Sequence, residues 1–460
     1  MRRTRIIGLI AVLALVAAAC GEEAEPTTAA PDTTTAPATT AAPDTTAPTT
    51  ETTAAGEDPL AAYGESLDAD PALIDKALGP VTPSDEASWN IILASLARVT
   101  RDLDEATIAK AMECFNNQEC DTGTGGEIVM GYADGGGDTV NVWRAVSHME
   151  AILQALSYPE IGTIVSTEAN FGGPTFDSTI AENDMQFLIN RGVDFIVGYP
   201  DIGIGLAEEV RAAEAADIPY ITFSAGYVGL PDQAGALTPG EDYTSVVGED
   251  LCALGKSFAD VLNQGVGEGK VAVLGGTPNN ALSLGWQQCI IPALASGIEV
   301  VNPPANADST TGDTYWSDAL IPDVYRGLLT ANPDIKGYAY EYADGQFLGT
   351  GVYEDLGIPV ENLTVALRTD EQSLFCDWAE RAEPTYNIYY SAGGNFQSRV
   401  GVTAAMMKLQ GADIPGRLVV PHVMRQVTAA NCDPDRVFTA VSTTSLVPDA
   451  LLSQMFAPTG

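Results

Sequence analysis

Hydrophobic and polar positions near the middle of the chain predict a strand, a turn, a helix and a second strand. The first strand is predicted over Val193–Val197, an apolar run without strict alternation, as in a strand buried on both faces. Turn residues follow at 198–201, and Ile204–Ala215 then has its apolar positions at helical spacing. Tyr220–Phe223 forms the second strand. This order predicts a right-handed βαβ crossover and therefore a parallel sheet.

Ligands of parallel sheets bind outside the carboxyl ends of the strands. Two segments come directly after the predicted strands, Tyr199–Asp201 and Ser224–Tyr227. Because the carboxyl ends of neighbouring parallel strands meet at one edge, the sequence predicts a binding site at these segments.

The alternation of strand and helix patterns extends well beyond this unit. One run begins at Gly125 and a second begins near Gly248, which predicts an α/β protein with two lobes, each with its own sheet. Residues 58–123 carry helical patterns only. We interpret this prefix as a structural collar on the main body, and a partner-docking module is the alternative.

The first 57 residues predict export and anchoring. Residues 1–19 combine three arginines with an apolar run, as in a signal peptide. Cys20 follows Val16–Ala19 in a pattern that resembles a bacterial lipobox, which predicts a lipidated Cys20; ordinary secretory cleavage is the alternative. Residues 20–57 are rich in Thr, Pro and Ala, which predicts a disordered tether behind the lipid anchor.

The formal net charge of −41 argues against nucleic acid as a partner, because its phosphates would be repelled. An even number of cysteines follows Cys20, and in an exported chain this predicts disulfides. Cys114 and Cys120 are close in sequence, and Cys252 and Cys289 lie on helices expected to be neighbours. The remaining pair is Cys376 with Cys432. With two histidines and no CxxC motif, we expect no metal and no cofactor.

Several phrases resemble one family, the type I periplasmic solute-binding proteins of the ribose- and galactose-binding group. They are GVDFIV at 192–197, ADIPYIT at 216–222, ANPDIKG at 331–337 and LQG at 409–411 with IP at 414–415. The resemblance implies two doubly wound parallel-sheet lobes joined by a hinge, with a ligand clamped between them. It implies a first lobe of 124–228 plus 372–413 and a second lobe of 229–371 plus 414–460.

The resemblance also implies polar contacts from Asn141, Asp344 and Asn395, and a stacking role for Trp143. The family's Asp-Arg pair is replaced by Ser224 and Ala225 here, which argues against a sugar held by charged pairs. Aromatic residues near strand ends, Tyr132 among them, indicate a cleft lined by rings. The predicted ligand-binding residues are Asp134, Asp138, Asn141, Trp143, Tyr199, Asp201, Ser224, Tyr227, Asn279, Asn280, Trp286, Tyr342, Asp344, Asn395 and Phe396.

Together these features predict a solute-binding lipoprotein on the extracytoplasmic face of a bacterial membrane. It would be a monomer without enzymatic activity that delivers a small polar ligand, a sugar, to an ABC permease. A ligand-sensing receptor module of the same fold is the first alternative. An extracytoplasmic hydrolase is the second, and it lacks support because the sequence has no GxSxG nucleophile motif.

Overall fold

The fold is described from a computed structural model. It covers residues 59–133, 142–167, 178–381, 386–392, 394–436 and 441–456. The predicted signal peptide, Cys20 and the tether therefore lie outside the described residues.

The strands are short and mostly buried on both faces. They are β1 (Glu119–Asp121), β2 (Ile128–Ala133), β3 (Ile161–Ser166), β4 (Phe195–Gly198), β5 (Tyr220–Thr222), β6 (Ser245–Gly248), β7 (Gly269–Leu274), β8 (Ile298–Val300), β9 (Ile335–Tyr340), β10 (Thr364–Leu367), β11 (Asn387–Tyr390), β12 (Arg417–Val419) and β13 (Arg425–Gln426).

The helices connect these strands and extend beyond them at both ends. They are α1 (Pro71–Leu78), α2 (Glu86–Ala97), α3 (Glu105–Asn116), α4 (Val142–Leu156), α5 (Ser178–Arg191), α6 (Ala207–Ala215), α7 (Leu251–Gly265), α8 (Ala281–Ala293), α9 (Ile321–Ala331), α10 (Ala343–Leu356), α11 (Gln372–Glu380), α12 (Gln397–Leu409) and α13 (Asp449–Met455).

The strands form two sheets, so the fold is of the predicted two-lobe α/β class. Within the described residues the first sheet has the order β1-β3-β2-β4-β5-β6-β12, and the second has the order β13-β11-β10-β9-β7-β8. Strands inside each sheet are parallel, and only β1 and β13, at the edges, are antiparallel to their neighbours. The predicted central unit is present as β4, α6 and β5, with Ile196 paired to Tyr220.

The chain passes between the two sheets at three places in the described part. The crossovers are 249–250 between β6 and α7, 391–392 with 394–396 between β11 and α12, and 420–424 between β12 and β13. α12 returns to the first lobe, where it packs on α4. Three short crossovers between two lobes are the arrangement expected of a hinge.

The sheets depart from the predicted lobe boundaries at three strands. β6 and β12 were expected in the second lobe but pair with each other in the first sheet, with Val246 opposite Arg417. β11 was expected in the first lobe but pairs with β10 in the second sheet, with Tyr389 opposite Ala366. Each of these strands is next to a crossover, so its sheet is fixed by long-range pairing and not by its own apolar pattern.

The helical prefix packs against the first lobe. α2 contacts α12 and β12, and α3 contacts α4. Asp85 accepts a hydrogen bond from the backbone N–H of Ser88 and so caps α2, while Ile92 and Leu96 of that helix are fully buried. Arg98 binds Glu65 and stacks on the ring of Tyr158, 3.8 Å from its centroid. The prefix thus extends the core of this lobe.

All three predicted disulfides are confirmed. Cys114–Cys120 joins α3 to β1, and Cys252–Cys289 joins α7 to α8. Cys376–Cys432 joins α11 to the segment after β13. Among the described helices, none has both the length and the apolar character needed to cross a membrane.

Candidate functional site

A cleft lies between the carboxyl ends of the two sheets. The first lobe contributes the start of α4 and the residues after β4 and β5; the second contributes α8, the loop before α9 and the residues after β9 and β10. The lining residues are Trp143, Arg144, Tyr199, Ser224, Leu282, Trp316, Glu341, Tyr342, Arg368 and Thr369. The cleft is therefore aromatic and carries two guanidinium groups.

Arg144 and Asp201 form a buried ion pair on the first-lobe wall. Both guanidinium nitrogens Nη1 and Nη2 donate to the carboxylate, with Nη1 2.7 Å from Oδ2. The Arg144 guanidinium also lies 5.5 Å from the ring centroid of Tyr199 and 5.9 Å from that of Trp316. A bidentate pair held between rings fixes the position of the cation inside the cleft.

Direct hydrogen bonds join the two lobes across the cleft. The Tyr199 hydroxyl donates to Oδ1 of Asn280 at 3.2 Å, and the Asn280 amide nitrogen donates to the carbonyl of Asp201 at 2.9 Å. Asn280 is also the N-cap of α8, since its Oδ1 accepts from the backbone N–H of Leu282. One amide thus ties the start of α8 to the loop after β4.

Glu341 is a buried carboxylate that organises the second-lobe wall. It accepts hydrogen bonds from the Ser283 hydroxyl and from the indole N–H groups of Trp286 and Trp316, the last at 3.0 Å. Burial raises the pKa of Glu341, and the hydrogen bonds oppose that rise. The carboxylate therefore fixes both tryptophans.

The backbone conformation of its loop also fixes the position of Trp316. Tyr315 and Trp316 have φ values of 55° and 49°, in the left-handed region that side chains other than glycine rarely adopt. A Cβ atom added at Gly276 would lie closer than 3.0 Å to the indole ring, so the ring lies directly on that glycine. The loop thus presents one tryptophan to the cleft in a strained, fixed conformation.

Arg368 and Glu249 form a second buried pair beside the first crossover, at 2.9 Å. Burial disfavours the ionised form of Glu249, but the Arg368 guanidinium outweighs it and lowers the pKa of that carboxyl. Nε of Arg368 and the hydroxyl of Ser224 are buried and have no hydrogen-bond partner among the residues that the structure describes. Since buried polar atoms are nearly always paired, these two are candidate donors to a ligand.

Two carboxyl groups with raised pKa values, Asp344 and Glu371, lie in the second lobe, and Asp344 accepts a hydrogen bond from the Tyr342 hydroxyl at 3.2 Å. Burial and the nearby charge of Asp318 raise the pKa of Asp344 to about 6. Burial and the charge of Asp344 raise the pKa of Glu371 to about 8.

Among the described residues, no group of three His, Cys, Asp or Glu side chains is placed to hold a metal ion.

The cleft is closed in this structure. The space open to the centre of a water-sized sphere is about 30 Å³, roughly the room that two water molecules need. A solute as large as a monosaccharide therefore requires the lobes to separate, or Arg144 and Trp316 to move.

Residues 166–353, which supply most of this cleft, match the family described as a periplasmic binding protein domain. This stretch is similar to a periplasmic binding protein domain. The resemblance inferred from the sequence phrases is thus confirmed. No curated protein matches the chain.

Solved structures of binding proteins share the fold at low identity. A Mycobacterium smegmatis ABC transporter solute-binding protein with bound glycerol is 19% identical, with a TM-score of 0.53 over 66% of this chain and 94% of that one. The arabinose ABC transporter binding protein of Shewanella sp. ANA-3, bound to L-arabinofuranose, is 15% identical, with a TM-score of 0.53 over 66% and 93%. An Agrobacterium vitis solute-binding protein with D-fucose is 18% identical, with a TM-score of 0.53 over 67% and 98%. At these identities the likeness shows the type I fold alone.

Most of the predicted ligand residues that the structure describes lie in the cleft lining or directly behind it. Trp143, Tyr199, Ser224 and Tyr342 line the cleft. Another group lies directly behind this lining and holds it in place. These residues are Asp201, Asn280, Trp286, Asp344 and Asn395, whose amide nitrogen donates to the Trp143 carbonyl at 2.8 Å.

The other predicted ligand residues lie elsewhere. Tyr227 lines a separate cavity of about 580 Å³ with Arg417, because the chain turns away from the cleft after Ser224. Asn279 is exposed, and Phe396 is buried in the core at the start of α12. Asp134, Asp138 and Asn141 are outside the described residues.

Sequence reasoning missed several of the residues that line the cleft. Glu341 and Arg368 each follow directly after a strand, so the strand-end rule that selected Tyr199 would have found them. Arg144 lies on a helix and had no comparable signal. Trp316 lies in the long loop after β8, where no local pattern marks a site.

Proposed function

We propose that this protein captures a small polar solute, a sugar, between its lobes and delivers it to an ABC importer. The observation that carries the proposal is the cleft, whose lining combines the rings of Trp143, Tyr199 and Trp316 with buried donors on Arg368 and Ser224. Rings of this kind cover the apolar face of a sugar, while unpaired donors bind its hydroxyl groups.

The proposed mechanism is hinge closure. A solute that contacts both lobes favours the closed state, which the permease recognises. The structural relatives support this, since their bound molecules are glycerol, L-arabinofuranose and D-fucose. In the proposal, lipidated Cys20 holds the protein on the extracytoplasmic face of the membrane, and residues 20–57 form its tether.

Native mass spectrometry of the full chain, purified in detergent without refolding, tests the binding role first. We expect a bound mass that disappears on denaturation. Thermal melts with L-arabinose, D-fucose and glycerol then test the solute class, since a ligand at 100 times its Kd stabilises the folded state by about 2.7 kcal/mol.

Trp316→Ala provides the site-specific comparison for these melts. We expect the sugar-induced rise in melting temperature to be lost in this variant. It should be kept in Gly327→Ala, an exposed helical change with no atom within 4 Å of the new methyl group. An equal sugar response in both variants would refute a role for this cleft.

A further inference from the structure

Residues 441–447, here named the tail brace, run between the two lobes without belonging to either sheet. The segment is buried: Val441, Leu446 and Val447 are at most 4% exposed. It is followed by α13, whose Leu451 and Leu452 are also buried. The brace is therefore anchored in the protein core.

The first half of the brace is bound to the second lobe. Asp370, in the loop after β10, accepts hydrogen bonds from the Thr443 and Thr444 hydroxyls and from the Thr444 backbone N–H, the last two at 2.8 and 2.9 Å. The Val441 carbonyl accepts from the Gln372 N–H at 3.0 Å. The Asp370 carboxylate is 2% exposed, so these bonds are shielded from water.

The second half is bound to the first lobe. Glu150 of α4 accepts from the backbone N–H groups of Leu446 and Val447, at 2.7 and 3.2 Å, and from the Ser445 hydroxyl at 3.2 Å. Its other oxygen pairs with Arg399 of α12. Two fully buried carboxylates on different lobes are thus joined by five consecutive residues.

We infer that the tail brace is a fourth connection between the lobes and limits how far they open. The covalent crossovers are short segments that permit rotation. A rotation that changes the separation of Asp370 and Glu150 must break one set of these hydrogen bonds. Bonds to buried charged groups are the most costly to leave unmade, so the brace favours the closed cleft even without solute.

Interlobe distances measured by electron paramagnetic resonance test this inference without any ligand. The full chain carries Cys20→Ser, with spin labels at Glu208→Cys in α6 and Gly351→Cys in α10; both positions are exposed and the native pairs remain in disulfides. Thr443→Val with Thr444→Val weakens the hold of the second lobe on the brace, because it removes both hydroxyl bonds to Asp370 and leaves the backbone N–H bond of residue 444 in place. Thr443→Ser with Thr444→Ser keeps both hydroxyl groups and serves as the matched control.

We expect a single short distance in the unmodified brace and in the serine pair. The valine pair should add a longer distance, with the ratio of open to closed molecules raised at least about tenfold by the two lost hydrogen bonds. If the valine pair melts at a lower temperature but keeps the original distance, the brace only stabilises the fold and the inference is wrong. If the valine pair does not fold, the single variant Thr444→Val is measured in its place, and the same two outcomes apply.

Discussion

Gly276→Ala is the sharpest probe of how the cleft is built. The added methyl group would overlap the indole ring of Trp316, and that ring cannot easily retreat. Its N–H is bound to Glu341, and the backbone N–H of Tyr315 donates to the Gly276 carbonyl at 3.1 Å. The substitution must therefore break the Glu341 contact or distort the loop.

The expected loss of stability has two sources, the overlap of the new methyl group with the indole ring and the broken hydrogen bond to Glu341. Overpacking a well-filled site costs about 1–3 kcal/mol, and a hydrogen bond to a charged group contributes about 1.5–3 kcal/mol. Because the ring can relieve the overlap by giving up the bond, the costs do not add fully. We expect Gly276→Ala to lower the free energy of unfolding by about 2–4 kcal/mol.

Urea unfolding followed by circular dichroism measures this loss, and near-ultraviolet dichroism reports on the tryptophan environment. Gly327→Ala is the matched control, since it lies in α9 and its methyl group meets no atom within 4 Å. That control should be neutral or slightly stabilising, by up to about 1 kcal/mol. Equal stabilities of the two variants would show that Trp316 does not rest on Gly276.

Two further predictions concern stability. The folded-state pKa of Glu371 is raised from 4.5 to about 8, so its protonated form stabilises the fold at acidic pH, and that contribution is lost as pH rises through this interval. Glu371→Gln should therefore flatten the fall in unfolding free energy between pH 4.5 and about 8, and an unchanged pH profile would contradict the assignment. Replacing Cys376 and Cys432 with serine opens a loop of sequence separation 56 and should lower the free energy of unfolding by about 4 kcal/mol. The same replacement of Cys114 and Cys120, at separation 6, should lower it by about 2 kcal/mol. Denaturant melts measure both losses of stability, and a larger loss for the Cys114 and Cys120 pair would contradict the loop-entropy argument.

Local pattern predicted the secondary structure well where strands and helices alternate regularly. The central unit around Phe195–Gly198 was found because a buried parallel strand is a continuous apolar run followed by turn residues. The cap of α2 is equally local, since Asp85 accepts from the backbone N–H of Ser88, three residues further on. Cysteine spacing and the expected contact of α7 with α8 were sufficient for the disulfide pairs.

The candidate site was predicted only in part. Tyr199 and Ser224 could be predicted from the sequence because they follow strands, and the carboxyl ends of parallel strands meet at one edge. Tyr227 fits the same rule but lines another cavity, since the path of the loop after β5 depends on what it packs against. Trp316 was missed because its position is set by Gly276 and Glu341, which are distant in sequence.

The sequence by itself determined the α/β class, the helix and strand periodicities and the family phrases, because these depend on neighbours a few residues apart. Only the tertiary structure decided which sheet receives β6 and β11, which side chains meet across the cleft, and that the tail brace joins Asp370 to Glu150. Those outcomes depend on hydrogen bonds and packing between segments up to hundreds of residues apart. No local pattern encodes such pairings, since any buried strand or carboxylate could be satisfied by several partners.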